Sequence, residues 1–183
     1  MRTLRIAVIA TAAVAAFLSC TNQDKQLTIA DQEAAIDNYV AQNFAENPVS
    51  YHNGSVRVTI IDSSFIAPPD SLVYGDTLSF FYAGYVFTNG PSDLFSTNNK
   101  AVAAQNNFSL TDSDSTAKEL VFTKDCMVPG LVNGLYGVKE RGHYIILFSA
   151  EHGFYDRYVY NIPKLSALAF EVWIEAVRKK ETQ

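Results

Sequence analysis

Three segments with alternating side chains, separated by a single short helical segment, constrain the fold of this chain more than any other feature. Residues 77–87, 143–149 and 168–174 alternate with a period of two, which is typical of β-strands. Between the first two segments, residues 129–137 begin with proline and end with glycine, as short helices often do. Many strands around one short helix indicate an α+β domain with an antiparallel sheet.

The region before residue 71 predicts an accessory piece that precedes this domain. Residues 28–44 have the apolar spacing of an amphipathic helix, with Thr28 as its expected N-cap, and residues 56–61 predict a strand. The prolines within 67–70 indicate a turn, because proline cannot donate a hydrogen bond to a sheet. We therefore expect an extension over 28–70 and a main domain over 71–177.

The first residues predict an export signal that is not part of the fold. Arg2 and Arg5 precede an uncharged apolar run over 6–18, which is shorter than the roughly 20 residues that a membrane-spanning helix needs. The run ends in Ser19-Cys20 and resembles a lipobox, in which a small residue precedes the cysteine that becomes lipidated.

We thus predict a signal peptide over 1–19, a lipidated Cys20 and a polar tether over 20–27. The protein would then be membrane-anchored in the cell envelope, facing the periplasm or the cell surface. The alternative is a plain secretory signal that is cleaved near Ser19 and leaves Cys20 as an incidental thiol.

Charge and cysteine content narrow the possible partners. The formal net charge is −5, and no cluster of lysine and arginine is present, which argues against a nucleic-acid partner. The chain has two cysteines and no paired-cysteine metal motif. We expect neither a metal nor a cofactor.

The long polar segment 97–118 is predicted to be a loop.

Three segments, in this order, resemble motifs of the FKBP-type peptidyl-prolyl cis-trans isomerases. They are YGDTLSFFYAGY at 74–85, MVPGLVNGLYGV at 127–138 and IPKLSALAFEV at 162–172. Each motif is weak alone, but the ordered set is specific because each lies on the expected strand or helix. The resemblance implies an antiparallel half-barrel sheet wrapped around one short helix, preceded by the N-terminal helix and strand extension.

The resemblance also implies an apolar binding site for proline-containing polypeptides. Its implied catalytic residues are Tyr82, Phe95, Val128, Phe154 and Phe170, and its implied substrate-binding residues are Met127, Leu131 and Ser96. The implied activity is isomerisation of X-Pro bonds in exported proteins.

Several positions depart from the family pattern. Ser96 replaces the usual aspartate, Leu131 replaces a common tryptophan, and Phe154 replaces a tyrosine whose hydroxyl usually donates to the substrate. Two hypotheses therefore stay open, an isomerase with weakened activity and a non-catalytic module for protein binding or chaperone-like work. The tyrosines within 155–160 could supply hydroxyls or fill the groove. A homodimer formed through the N-terminal helix is a further hypothesis.

Overall fold

The computed structural model describes the backbone of residues 2–62 and 71–181, and side chains from residue 22 onward within these ranges. The side chain of Cys20 and the predicted turn over 67–70 lie outside the described residues. The elements in chain order are α1 (Arg2–Asn43), β1 (Val49–His52), β2 (Ser55–Ile61), β3 (Thr77–Phe87), β4 (Pro91–Thr97), α2 (Lys100–Gln105), β5 (Lys118–Val121), α3 (Pro129–Leu135), β6 (His143–Phe148), a single 3₁₀ turn (Ala150–His152) and β7 (Ala167–Arg178).

The described strands form one antiparallel sheet of seven strands. Six of them follow the order β1-β2-β6-β7-β3-β4, and β5 pairs with β3 on the same edge as β4. The predicted strands at 77–87, 143–149 and 168–174 correspond to β3, β6 and β7, which are neighbours in the sheet. The predicted α+β class with an antiparallel sheet around one short helix is confirmed.

Helix α3 packs against β6 and β2 and contributes Leu131, Val132 and Leu135 to the main core. Its N1 residue is Pro129, and Gly137 follows the C-cap with a φ of +80°. Two further glycines allow the helix to approach the sheet. A Cβ on Gly130 would lie 2.2 Å from the Phe148 ring, and a Cβ on Gly134 would lie 2.2 Å from an Ile146 methyl group. This close approach requires glycine at both positions.

Helix α1 packs on the opposite face of the sheet. Ile36 and Val40 are buried there against Val58, Leu147 and other apolar residues. The apolar face of the described part of α1 is therefore covered by its own sheet. The homodimer hypothesis stays a prediction.

The predicted N-cap at Thr28 is wrong. The helix is continuous through this position, and the Thr28 hydroxyl donates to the Asp24 carbonyl one turn earlier at 3.0 Å. A threonine in this arrangement satisfies its own hydroxyl within a helix and does not start one.

Strand β1 was not predicted, although its turn is visible in the sequence. Asn53 and Gly54 connect β1 to β2 with φ values of +45° and +81°. Asn-Gly is the preferred pair for such two-residue hairpins, because both positions need a positive φ. Through β2, which pairs with β6, this hairpin extends the main sheet.

The prediction of a loop over 97–118 is only partly right. Asn99 caps the six-residue helix α2 with its side chain, and Lys118 begins β5. Val102 and Ala103 of α2 are buried, which gives this short helix a packed face.

No helix among the described residues is long and apolar enough to cross a membrane.

Candidate functional site

A cavity of about 180 Å³ lies between the sheet, the start of α3 and the loop after β6. All eight predicted pocket residues line it, namely Tyr82, Phe95, Ser96, Met127, Val128, Leu131, Phe154 and Phe170. Two further residues, Phe80 and Lys118, also line it and were missed by the sequence analysis. The structure therefore brings the predicted set together. Their catalytic and substrate-binding roles stay predictions.

The edge of β3 changes partners beside this cavity. Residues 77–80 of β3 pair with β5, and residues 83–87 pair with β4. In the gap between the two, side chains hold the main chain of Tyr82. Its N–H donates to Asn98 Oδ1 at 2.7 Å, and its carbonyl accepts from Thr97 Oγ1 at 2.6 Å. These two bonds hold Tyr82 on the edge of β3 that faces away from β7, at a position where neither β4 nor β5 pairs with it.

The Tyr82 hydroxyl lies 2.9 Å from Ser96 Oγ, and either oxygen can be the donor. Ser96 occupies the position where the family pattern has aspartate. A neutral hydroxyl pair thus replaces a tyrosine–carboxylate pair, and Ser96 brings no negative charge to the cavity. Among the described residues that line the cavity, only Lys118 carries a charge.

Phe170 on β7 is the centre of the aromatic wall. Its ring meets Phe95 edge-on at a centroid distance of 5.7 Å and stacks on Phe148 at 5.9 Å. Gly84 makes room for this contact, because a Cβ there would lie 2.8 Å from both the Phe95 and Phe170 rings. Gly84, the second glycine of the first motif, therefore has a packing role in the wall of the cavity.

The start of α3 supplies the opposite side of the cavity. Val128 is the N-cap residue, with an extended backbone and a carbonyl that accepts from the N–H of Leu131 at 3.0 Å. Among the described residues, none accepts a hydrogen bond from the Val128 N–H. This N–H is therefore free to donate a hydrogen bond to a ligand carbonyl.

Phe154 reaches the cavity from the loop between β6 and β7, and helix α1 ties that loop down. The Gln32 side chain accepts from the Ala150 N–H at 2.9 Å and donates to the Leu165 carbonyl at 2.6 Å. It thus joins the two ends of the segment that carries Phe154. Residues 150–165 are called the flap below.

An ion pair between α1 and the flap adds to this attachment. Lys25 Nζ lies 2.6 Å from an Asp156 carboxylate oxygen, and Lys164 also contacts Asp156 at 3.3 Å. Hydrogen bonding to the two lysines lowers the pKa of Asp156 below its ordinary value. Asp156 is therefore a carboxylate at neutral pH and binds both lysines.

The flap tyrosines do not fill the cavity. Tyr155, Tyr158 and Tyr160 are 39%, 65% and 93% exposed, and none of them lines it. The cavity is therefore open, and Phe154 is the flap residue that contributes to its wall. Within the described ranges, no group of three or more His, Cys, Asp or Glu side chains is placed to hold a metal ion.

Comparison of the sequence with protein-family models and with curated proteins finds no match. Comparison of the structure with solved structures does find matches. FkpA from Escherichia coli aligns with a TM-score of 0.58 and 19% identity over 96% of this chain and 73% of that chain. A peptidyl-prolyl cis-trans isomerase from Pseudomonas syringae pv. tomato gives 0.57 and 11%, over 84% and 96%. The structure of the three FKBP domains of wheat FKBP73 gives 0.54 and 11%, over 72% and 49%.

These sequence identities are low, so the similarity is one of backbone fold. It covers the sheet, the short helix and, for FkpA, nearly the whole length. The chain therefore has the FKBP-like fold.

Proposed function

We propose that this protein is a peptidyl-prolyl cis-trans isomerase that acts on exported polypeptides with weakened activity. One observation carries the proposal, namely the open apolar cavity whose lining includes every pocket residue that the family resemblance implies. Its volume, about 180 Å³, is below the roughly 300 Å³ at which pockets for drug-sized ligands begin. A cavity of this size suits a single side chain such as a prolyl ring.

The chemistry of the reaction fits a site without a strong acid, base or metal. Amide resonance gives rotation a barrier of about 18–20 kcal/mol, so isomerisation of X-Pro bonds takes tens of seconds or longer. A catalyst must bind the twisted amide more tightly than the planar one. Twisting reduces the charge separation that water stabilises, and an apolar wall such as Phe95 and Phe170 therefore favours the twisted form.

The expected weakness follows from what the wall lacks. Phe154 has no hydroxyl, and a lost hydrogen bond costs about 0.5–1.5 kcal/mol, or roughly a two- to twelve-fold loss in rate. Leu131 offers less apolar contact area than tryptophan would. Neither change removes the apolar character of the cavity.

A coupled assay or exchange NMR on X-Pro peptides tests the proposal. We expect purified protein to accelerate isomerisation above background, and Phe95→Ala to reduce kcat/KM at least ten-fold. Tyr51→Ala is the matched control, because Tyr51 is an aromatic residue that is 67% exposed and lies outside the cavity lining. Equal rates with and without the protein would refute the proposal.

The second candidate function is a non-catalytic FKBP-fold module that holds protein partners. The missing hydroxyl at Phe154 favours it, because binding an apolar ring needs no donor from the flap. Under this hypothesis, proline-containing peptides would bind with the same dependence on Phe95 but would isomerise no faster than in buffer. A titration alongside the rate assay separates the two candidates.

We also propose that Cys20 carries a lipid and that the protein is held at a membrane of the cell envelope. The lipobox-like Ser19-Cys20 after an apolar run supports this. Substrates at such a location would be exported polypeptides, for which slow X-Pro steps limit folding.

A further inference from the structure

A second cavity, of about 400 Å³, adjoins the apolar one. The two share three lining residues, Tyr82, Ser96 and Lys118. The second cavity lies beside the gap in the β3 edge, between the end of β4 and the start of β5. Its remaining lining comes from the β4 end and from residues 108–117, and it is mostly polar.

This arrangement gives the two cavities complementary roles. A polypeptide whose prolyl ring enters the apolar cavity can place a neighbouring residue across the shared wall, because the two cavities adjoin there. The second cavity is then the space into which that neighbouring side chain extends. Because it is lined by hydroxyl and amide groups, a polar side chain can be accommodated there with hydrogen bonds.

Lys118 is the charged residue at the shared wall. Within the part of the chain that the structure describes, no carboxylate forms an ion pair with it, whereas Lys100 pairs with Asp112 at 2.8 Å. The other charged residue that lines the second cavity is Asp114, whose carboxylate accepts a hydrogen bond from the Thr111 hydroxyl. Lys118 is therefore the charged residue that lines both cavities, and it has no ion-pair partner among the described residues.

We propose that the second cavity is a subsite for the residue next to the proline, and that Lys118 makes this subsite prefer an acidic side chain. The preferred substrates are then polypeptides in which Asp or Glu adjoins Pro. This inference rests on the proposed function and specifies its substrate class.

Two peptide series test it, one with the variable residue before the proline and one with it after. Each series carries Glu, Gln, Leu or Lys at that position, and Gln is the uncharged match for Glu. At low salt, we expect kcat/KM for Glu to exceed that for Gln by about two- to five-fold in one of the series, the range of an exposed ion pair. Lys118→Met should bring the ratio to one, and Lys118→Glu should invert it.

Lys124→Met is the matched control, since it removes a lysine outside both cavities and should leave the ratio unchanged. A ratio of one in both peptide series with the unaltered protein, or a preference that survives Lys118→Met, would overturn the inference.

The same peptides separate this inference from the proposed function. If no peptide is turned over, the isomerase proposal fails, and calorimetric Kd values then measure the preference directly. A Kd for Glu peptides two- to five-fold below that for Gln peptides, abolished by Lys118→Met, would support the subsite even so. Equal Kd values, or no binding at all, would overturn it.

Discussion

The bridge that Gln32 forms between α1 and the flap gives a prediction at the level of single amides. Gln32→Met keeps the length of the side chain but removes both the amide oxygen that accepts from the Ala150 N–H and the amide nitrogen that donates to Leu165. Each of the two hydrogen bonds contributes about 0.5–1.5 kcal/mol, so the substitution should lower the free energy of local flap opening by roughly 1–3 kcal/mol.

This loss can be measured by hydrogen exchange. Each 1.4 kcal/mol is about a tenfold change in an equilibrium constant, so the Ala150 amide should exchange about 5- to 150-fold faster in Gln32→Met. Amides in β7 should be unaffected, because they belong to the buried centre of the sheet. The Phe154 side chain would lose its fixed position, and KM for X-Pro peptides should rise.

Gln42→Met is the control, because Gln42 is an exposed glutamine on the same helix. Exchange at Ala150 that is no faster in Gln32→Met than in Gln42→Met would refute the reasoning. Equal acceleration of the β7 amides would also refute it, because that result indicates global destabilisation and not release of the flap.

Two further predictions concern the buried carboxylate of Asp76 and the proposed lipid anchor at Cys20. Burial by itself would raise the pKa of Asp76, but hydrogen bonds from Lys179 and from the N–H groups of Val73 and Lys180 outweigh it and hold the pKa below its ordinary value. The stabilisation is therefore complete above about pH 3.9, the unfolded pKa, and is lost as the pH falls through the folded pKa. Urea midpoints should fall between pH 5 and pH 2, with a smaller fall in Asp76→Asn, and parallel pH curves would contradict this. Cys20→Ser should abolish incorporation of a fatty-acid label and membrane fractionation, whereas unchanged labelling would rule out lipidation at Cys20.

The central part of the fold could be predicted because local pattern and tertiary role agree there. β3 runs from Thr77 to Phe87 as predicted, and α3 begins at Pro129 as predicted. The peripheral elements carry weaker signals. β4 begins with Pro91 and is mostly exposed in its first half, so it has no apolar alternation. β5 is only four residues long, and its pairing with β3 is a long-range contact that no local pattern reveals.

The residues of the candidate site also divide into those that the sequence predicted and those that it did not reveal. The family resemblance identified eight lining residues, and five of them lie within the three motifs. The other three, Phe95, Ser96 and Phe154, lie outside the motifs. Lys118 was missed because it lies at the end of a segment predicted to be a loop. Gln32 was missed because it acts from α1, more than 100 residues before the flap in sequence. Only the folded chain brings such residues to the site.

Because β4 and β5 pair with the same edge of β3, the segment that connects them is also suitable for the insertion of foreign peptides. β4 and β5 anchor both ends of the connecting segment to one strand, and residues 111–114 of this segment are exposed and lie outside the core. The entropy of closing a loop grows only logarithmically with its length, by about 0.6 kcal/mol for each doubling. Foreign peptides could therefore be inserted there at little thermodynamic cost, and they would be displayed beside the second cavity, whose lining includes Asp114.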